Sequence, residues 1–208
     1  MIPDIEDWLK MLLAFIVALA ISFFMTPPVK EFAEKVGAMD VPKDGRRVHD
    51  HPIPRMGGLA IFLGFVISLL LFVNMSTQVM GLLVGAVIIA MMGAVDDIVN
   101  LNPWAKLAAQ LLAAILAVRS GLVFDAISNP NVFSDNPYWV LGNLSVPLTV
   151  LWIVAITNAV NLIDGLDGLA NGVSAISATT VLVIALIGGQ FQVAVVMAAL
   201  VGACVGFM

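Results

Sequence analysis

Long uncharged stretches constrain this chain more than any other feature. The 40 residues between Arg55 and Asp96 include no charged side chain, and neither do the 41 residues after Asp167. As a single helix the first stretch would be about 60 Å long, about twice the hydrocarbon thickness of a bilayer. Across the sequence 61% of residues are hydrophobic and 11% are charged, too few polar groups for a water-soluble surface. We therefore predict an all-α, polytopic bundle of transmembrane helices.

Polar breaks divide the apolar sequence into about seven predicted spans. The acidic start, with Asp4, Glu6 and Asp7, argues against a cleavable signal peptide, so the first apolar run is expected to be a permanent span. Residues 1–208 are expected to form one integral membrane domain. The predicted spans are 11–29, two spans within 56–95 that are divided at 74–78, about 104–122, about 138–160, and two spans within 168–208 that are divided at 188–190.

Basic residues give the predicted orientation. Of nine Lys and Arg residues, six lie between Lys30 and Arg55, and the positive-inside rule places that loop in the cytoplasm. Counting spans then puts the N-terminus outside and the segments around Asp96 and Asp164 on the cytoplasmic side. We expect a multi-pass protein of the inner cell membrane with a cytoplasmic active site, because the polar segments 30–58, 96–110 and 158–171 share that face.

The richest polar segment is 158–171. Asn158, Asn161 and Asp164 are spaced by three residues, which places them on one face of a helix, and two following glycines loosen the backbone. Carboxylate and amide oxygens at the membrane boundary suit a hard cation such as Mg²⁺ together with phosphate oxygens. The alternative is a helix terminus whose carboxylates only face water, although aspartates within an apolar chain are expensive and usually functional.

A second acidic motif, Asp96-Asp97, is followed by Pro103, Lys106 and Gln110. Adjacent carboxylates repel each other unless a cation lies nearby, which suits a metal ligand beside a general base. Lys106 and Gln110 share a helix face, and a lysine there is a natural phosphate contact. The alternative is a solvated loop in which Pro103 starts the next helix.

The third segment is the basic loop 43–58. Topology alone requires cations on the cytoplasmic side, and contact with anionic lipid headgroups is a further simple explanation. Its prolines and paired glycines indicate a shaped loop. We interpret His49 and His51 as loop residues near an anionic substrate, and we expect Arg55 to bind substrate.

Together these three segments resemble the polyprenyl-phosphate N-acetylhexosamine-1-phosphate transferases of glycosyltransferase family 4. The stretch 40–58 resembles the branch that uses UDP-N-acetylglucosamine and undecaprenyl phosphate. The peptidoglycan branch, which uses UDP-N-acetylmuramoyl-pentapeptide, usually has a different loop there. The matching motifs are Pro54-Arg-Met-Gly57-Gly58, Asp96-Asp97 with Leu101, Pro103, Lys106 and Gln110, and Asn158 to Asn171.

The resemblance implies a reaction, its cofactor and its residues. Family members transfer a sugar-1-phosphate from a UDP-sugar to a polyprenyl phosphate, release UMP and thereby initiate cell-envelope polysaccharides. Mg²⁺, with Mn²⁺ as an alternative, would neutralise charge on the diphosphate. The implied roles are lipid-phosphate deprotonation by Asp97 with Asp96, diphosphate contact by Lys106, metal ligation by Asn161, and nucleotide-site shaping by Asp164 and Asp167. We also expect Asp96 to ligate the metal, and Asn158, His49 and Arg55 to bind substrate.

The resemblance covers nearly the whole chain, which ends at Met208 where the family continues with a Gly-Asp-x-Gly-Ser segment, a His-rich loop and further spans. The chain is therefore expected to be a fragment or a truncated form, the N-terminal part of the larger family fold. No nucleic-acid partner is expected, and a homodimer stays open.

Several other classes fit the sequence less well. An intramembrane prenyltransferase would show two DxxxD-like sets of aspartates, and a CDP-alcohol phosphotransferase would follow Asp164-Gly165 with Ala-Arg. A carrier would place charges near the bilayer midplane in discontinuous helices. A phospho-N-acetylmuramoyl-pentapeptide transferase and an inactive truncated membrane protein remain the open alternatives.

Overall fold

The computed structural model describes residues 4–40, 53–131, 133–165 and 168–208, and these residues are mainly helical. The prediction of an all-α membrane bundle is confirmed. Two short antiparallel hairpins join helices: β1 (Met39–Asp40) pairs with β2 (Ile53–Pro54), and β3 (Ala126–Ser128) pairs with β4 (Tyr138–Val140). The helices in the described residues are α1 Ile5–Val36, α2 Gly58–Phe72, α3 Thr77–Val99, α4 Pro103–Arg119, α5 Ser145–Ile163, α6 Leu169–Ile187 and α7 Phe191–Phe207.

Each of the seven predicted spans coincides with a helix, but the helices differ in length. Within the described residues, four helical segments are long and apolar enough to cross a membrane. Helices α2 and α7 are apolar but shorter, and α4 has 17 residues. The four segments of spanning length are Ile5–Val36, Thr77–Val99, Gly142–Ile163 and Leu169–Ile187.

Helix α1 is longer than the predicted span 11–29. It begins where the Asp4 carboxylate accepts the backbone N–H of Asp7 at 2.9 Å, an N-terminal cap that satisfies a donor the helix cannot. It ends at Gly37, whose φ of 77° is a left-handed conformation that glycine adopts without steric cost. The helix therefore extends beyond the apolar core at both ends, because charged side chains mark the membrane boundary and not the helix terminus.

The predicted start of the fifth span, near Tyr138, is wrong. Tyr138–Val140 forms strand β4, a 3₁₀ turn follows at Gly142–Leu144, and α5 begins at Ser145. The residue Gly142 has a positive φ of 52°, which interrupts any continuous helix. Hydrophobicity alone cannot separate a short apolar strand from the first turn of an apolar helix.

The chain divides into two compact units. The first comprises Met1–Asn74, Ala90–Leu101 and Ile163–Met208, and the second comprises Met75–Ile89 and Asn102–Leu162. In the first unit α7 packs against α1, α2 and α6, and α1 also packs against α2. The prediction that residues 1–208 form a single domain stays a prediction.

Small residues allow the helices of the first unit to approach closely. A Cβ atom on Gly202 would overlap the carbonyl oxygen of Phe15, and one on Gly206 would overlap that of Leu19. Across the α1–α2 contact, the hydroxyl of Ser68 donates to the carbonyl oxygen of Ala14 at 2.7 Å. Close backbone approach and interhelical hydrogen bonds stabilise helix pairs in membranes, where the hydrophobic effect no longer drives helices together.

Candidate functional site

The Asp96-Asp97 pair lies in the last turn of α3, and both side chains are half-buried. The Asp96 carboxylate accepts the backbone N–H of Leu101 at 2.8 Å. Its backbone carbonyl accepts the N–H of Asn100 at 2.9 Å, and Asn100 has a left-handed φ of 50°. One oxygen of the Asp96 carboxylate therefore stabilises the turn at the end of α3. The sequence did not indicate this structural role.

The next helix begins as predicted at Pro103. Proline occupies the first turn of α4, where its missing N–H would have no partner within the helix. The Asn102 side chain caps the helix by accepting the backbone N–H of Trp104 at 3.0 Å. This tight connection places Lys106 and Gln110 on the first two turns of α4.

An amide pair joins α4 to α5 within the second unit. The Asn158 side chain donates to the Gln110 side-chain oxygen at 2.7 Å, and Gln110 donates back to the Asn158 oxygen at 3.3 Å. Asn158 also donates to the carbonyl oxygen of Val154 at 2.8 Å. Gln110 is buried, with 6% of its surface exposed. The side-chain amide of Asn158, which was predicted to bind substrate, therefore takes part in the contact between α4 and α5.

The pair α4–α5 is antiparallel, and this brings two predicted site residues to the same end. The start of α4 meets the end of α5 at the Gln110–Asn158 pair. The chain after α4 meets the start of α5, where the Phe124 N–H donates to the Thr149 hydroxyl at 3.0 Å. Lys106 lies one turn before Gln110 and Asn161 nearly one turn after Asn158, each on the paired face of its helix. Lys106 and Asn161 therefore lie at one end of the pair.

The remaining predicted residues of the 158–171 segment follow α5. Asp164 comes directly after the last helical residue, Ile163, and is exposed. It belongs to the first unit, whereas Asn158 and Asn161 belong to the second. The helical face predicted for all three residues thus ends before Asp164. Asp167 lies outside the described residues.

The last polar residue of this segment, Asn171, lies in the first turn of α6. It is buried, and its amide nitrogen donates to the carbonyl oxygen of Cys204 on α7 at 2.9 Å. Its side-chain oxygen has no hydrogen-bond partner among the described residues. The sequence motif includes Asn171 without a role, and the structure gives it one in joining α6 to α7.

The basic loop is closed at its base by the β1–β2 hairpin. Met39 pairs with Pro54, and the backbone N–H of Arg55 donates to the carbonyl oxygen of Ala38 at 3.0 Å. The exposed Arg55 therefore has a fixed backbone. His49 and the loop residues 41–52 lie outside the described residues.

A groove of about 330 Å³ lies beside this hairpin in the first unit. The ring of Phe207, at the end of α7, covers the Cα of Gly57 so closely that a Cβ there would overlap it. This contact gives a physical reason for glycine in the Pro54–Gly58 motif that the sequence could not reveal. The groove is lined by Thr26, Val29, Lys30, Ala33, Glu34, Ile53, Pro54, Met56, Gly57 and Phe207.

The donor atoms of the predicted site are oxygens, which suit a hard cation such as Mg²⁺. No group of three His, Cys, Asp or Glu side chains is assembled within the described part of the chain. Mg²⁺ usually takes one or two protein carboxylates and completes its shell with water and substrate phosphates. In the second unit, Asn161 is exposed at the end of α5, and its amide oxygen is a hard donor of the kind that Mg²⁺ accepts.

Comparison with known proteins gives a consistent picture. The sequence profile of glycosyl transferase family 4 matches residues 79–208. A probable undecaprenyl-phosphate N-acetylglucosaminyl 1-phosphate transferase of Bacillus subtilis is 43% identical over 204 residues, which is 98% of this chain and 56% of that protein. A decaprenyl-phosphate N-acetylglucosaminephosphotransferase of Mycobacterium tuberculosis is 34% identical over 96% of this chain and 53% of its own length.

A further relative has a different named activity. The phospho-N-acetylmuramoyl-pentapeptide-transferase of Heliobacterium modesticaldum is 31% identical over 96% of this chain and 66% of its own length. The chain thus spans little more than half of the first two relatives. Its matched region includes both the α3–α4 connection and the α4–α5 pair.

Proposed function

Because the chain belongs to glycosyl transferase family 4, we propose that the complete protein transfers N-acetylglucosamine-1-phosphate from UDP-N-acetylglucosamine to undecaprenyl phosphate and releases UMP. The observation that carries this proposal is the placement of Lys106 and Asn161 at one end of the α4–α5 pair. The 43% identity to the Bacillus subtilis transferase supports the choice of sugar and lipid.

Lys106 and Asn161 are suited to hold the diphosphate of the sugar nucleotide. Lys106 is half-buried near the start of α4, and Asn161 is exposed near the end of α5. The Gln110–Asn158 amide pair joins the two helices about one turn from each of these residues.

In the proposed reaction a phosphate oxygen of the lipid attacks the β-phosphorus of the sugar nucleotide. A new phosphorus–oxygen bond forms to the lipid, the bond from the β-phosphorus to the bridging oxygen breaks, and UMP leaves with that oxygen. We assign Asp97 as the base that takes a proton from the lipid phosphate. Asp96 stabilises the end of α3 through its hydrogen bond from the Leu101 N–H.

Mg²⁺, when bound, supplies positive charge that offsets the charge developing on the diphosphate. Asn161 and Asp96 are the proposed protein ligands, with Mn²⁺ as an alternative ion. Asp164 and Asp167 are proposed to shape the nucleotide site, and His49 and Arg55 to approach the anionic substrates.

The proposed location is the inner cell membrane, with the N-terminus outside and the site on the cytoplasmic face. The clustering of six of nine basic residues between Lys30 and Arg55 supports this orientation. A cytoplasmic site is also chemically consistent, since one substrate is a soluble nucleotide and the other is a membrane lipid.

A donor-choice experiment tests the proposal. The protein is expressed from its full coding sequence, purified in detergent with undecaprenyl phosphate and Mg²⁺, and given either UDP-N-acetylglucosamine or UDP-N-acetylmuramoyl-pentapeptide. We expect UMP release and a lipid-linked N-acetylglucosamine product, identified by mass, only with the first donor. Selective use of the pentapeptide nucleotide would instead establish the activity of the Heliobacterium modesticaldum relative. Unchanged turnover in the Lys106→Ala variant would refute the site assignment.

A further inference from the structure

The β3–β4 hairpin exposes an unusual number of aromatic and apolar side chains for a connection between two helices. Val140 is 82% exposed, Tyr138 63%, Trp139 51% and Ile127 44%. All six strand residues are exposed, so neither face of the hairpin is buried beneath the described part of the chain. Two-stranded hairpins are marginally stable in water by themselves. These side chains therefore need an environment other than water.

The charge of the segment is low. Between Arg119 and Asp164 the only charged residues are Asp125 and Asp135. Asp135 lies in the connection between the strands, while the strands themselves are uncharged. A surface that recognises a charged partner would require more charged side chains. Aromatic rings, in contrast, are typical of side chains at a membrane–water boundary.

Contacts at the base of the hairpin set its depth relative to α5. The Phe124 ring packs edge-on against Trp152, with 6.0 Å between ring centroids, and the Phe124 N–H donates to Thr149. Thr149 and Trp152 lie about 6 and 10 Å along the helix from Ser145. The base of the hairpin therefore lies alongside the first turns of α5 and not beyond its end.

This depth coincides with a bilayer boundary. The 19 residues of α5 extend about 28 Å, close to the hydrocarbon thickness of about 30 Å. Leu151 and Trp152, on the same turns of α5, are themselves 63% and 56% exposed. The exposed surface of the hairpin is therefore continuous with the lipid-facing surface of the helix beside it.

We propose that the β3–β4 hairpin lies in the membrane interface and anchors the end of the α4–α5 pair opposite Lys106 and Asn161 to lipid. Ile127 and Trp139 are cross-strand partners on one face, and that face is wholly apolar. Ser128 and Tyr138, which are also partners, carry hydroxyl groups on the other face, which includes the partners Ala126 and Val140 as well. The Ile127–Trp139 face is directed toward the acyl chains and the Ser128–Tyr138 face toward the headgroups.

Spin labels on the full chain test this placement, and the chain's one cysteine makes labelling simple. In a Cys204→Ala background, single labels are introduced by Trp139→Cys, Ile127→Cys and, as a matched control on the same hairpin, Asp135→Cys. Each protein is reconstituted in vesicles of phosphatidylcholine and phosphatidylglycerol. Collision rates are then measured with oxygen, which concentrates in lipid, and with a water-soluble nickel chelate.

The proposal predicts a higher ratio of oxygen to nickel-chelate collisions at positions 127 and 139 than at 135. Equal ratios at the three positions, with rapid nickel collisions, would place the hairpin in water and overturn the proposal. Slow collisions with both reagents at 127 and 139 would show that protein covers the face, either a second copy or another part of the same protein, and would overturn it equally.

A second measurement guards against misfolded cysteine variants by using the native Trp139. The other three tryptophans are replaced (Trp8→Phe, Trp104→Phe, Trp152→Phe), and fluorescence is recorded in vesicles of brominated phosphatidylcholine. We expect stronger quenching by lipids brominated near the headgroup than by lipids brominated near the chain end. Absence of quenching by either lipid would contradict the proposal.

Discussion

The Gln110–Asn158 amide pair predicts that replacing one of its two residues destabilises the protein more than replacing the other. Asn158 has a second partner, the carbonyl oxygen of Val154 at 2.8 Å. Among the described residues, the side-chain amide of Gln110 has hydrogen bonds only with Asn158. Removing Asn158 therefore leaves a buried amide without a partner, whereas removing Gln110 leaves Asn158 with one hydrogen bond. Asn158→Leu should destabilise the protein more than Gln110→Leu.

The expected magnitudes follow from the two hydrogen bonds. Interhelical hydrogen bonds in membrane proteins contribute about 0.6 kcal/mol each on average, so two should give a coupling energy of about 1 kcal/mol. An unpaired buried amide costs about 1–3 kcal/mol, which sets the expected loss for Asn158→Leu. The double variant should recover part of that loss, because neither amide then remains buried without a partner.

Reversible unfolding in mixed micelles of dodecyl maltoside and sodium dodecyl sulfate measures these free energies for the wild type, both single variants and the double variant. Gln192→Leu is the control, since it makes the same replacement at an exposed position of α7. A larger loss for Gln110→Leu than for Asn158→Leu would refute the asymmetry. A coupling energy of zero would show that the pair does not hold α4 and α5 together.

Three further predictions concern the reaction and the core. Asp97→Asn should lower UMP release by about 10²- to 10⁴-fold, because it removes the proposed base; normal turnover would exclude that role. Asn161→Ala should raise the Mg²⁺ concentration needed for half-maximal activity, since an oxygen ligand is lost, and an unchanged Mg²⁺ titration would count against ligation. Gly206→Ala should destabilise the protein by about 1–3 kcal/mol, because the added methyl group would overlap the Leu19 carbonyl. The control Gly93→Ala should not destabilise it, because the space around Gly93 is open. Equal unfolding free energies for the two variants would contradict this packing.

The positions of the helices could be predicted because charge and turn residues mark the ends of apolar runs. Each helix in the described residues begins or ends close to a polar break that hydropathy identifies. The start of α5 was predicted wrongly, since the aromatic residues Tyr138 and Trp139 are as apolar in a strand as in a helix. The start of α4 at Pro103 was also predictable, because proline acts on its own helix.

Contacts between distant residues could not be predicted. Gln110 and Asn158 are 48 positions apart, and nothing in either helix specifies that the two amides meet. The close contact of the Phe207 ring with Gly57 likewise depends on how α7 packs. For the site, the motifs predicted the residue types. The hydrogen bonds that the Asp96 and Asn158 side chains make within the fold are seen only in the structure.

Transfer of the β-phosphate is the most direct test of the proposed activity. UDP-N-acetylglucosamine labelled with ³²P at the β-phosphate is incubated with the protein expressed from its full coding sequence, undecaprenyl phosphate and Mg²⁺. A sugar-1-phosphate transferase moves the β-phosphorus with the sugar, so we predict that the label enters the lipid and that the released UMP is unlabelled. Label retained in released UDP, with unlabelled phosphate in the lipid product, would show that the sugar alone is transferred and would contradict the account.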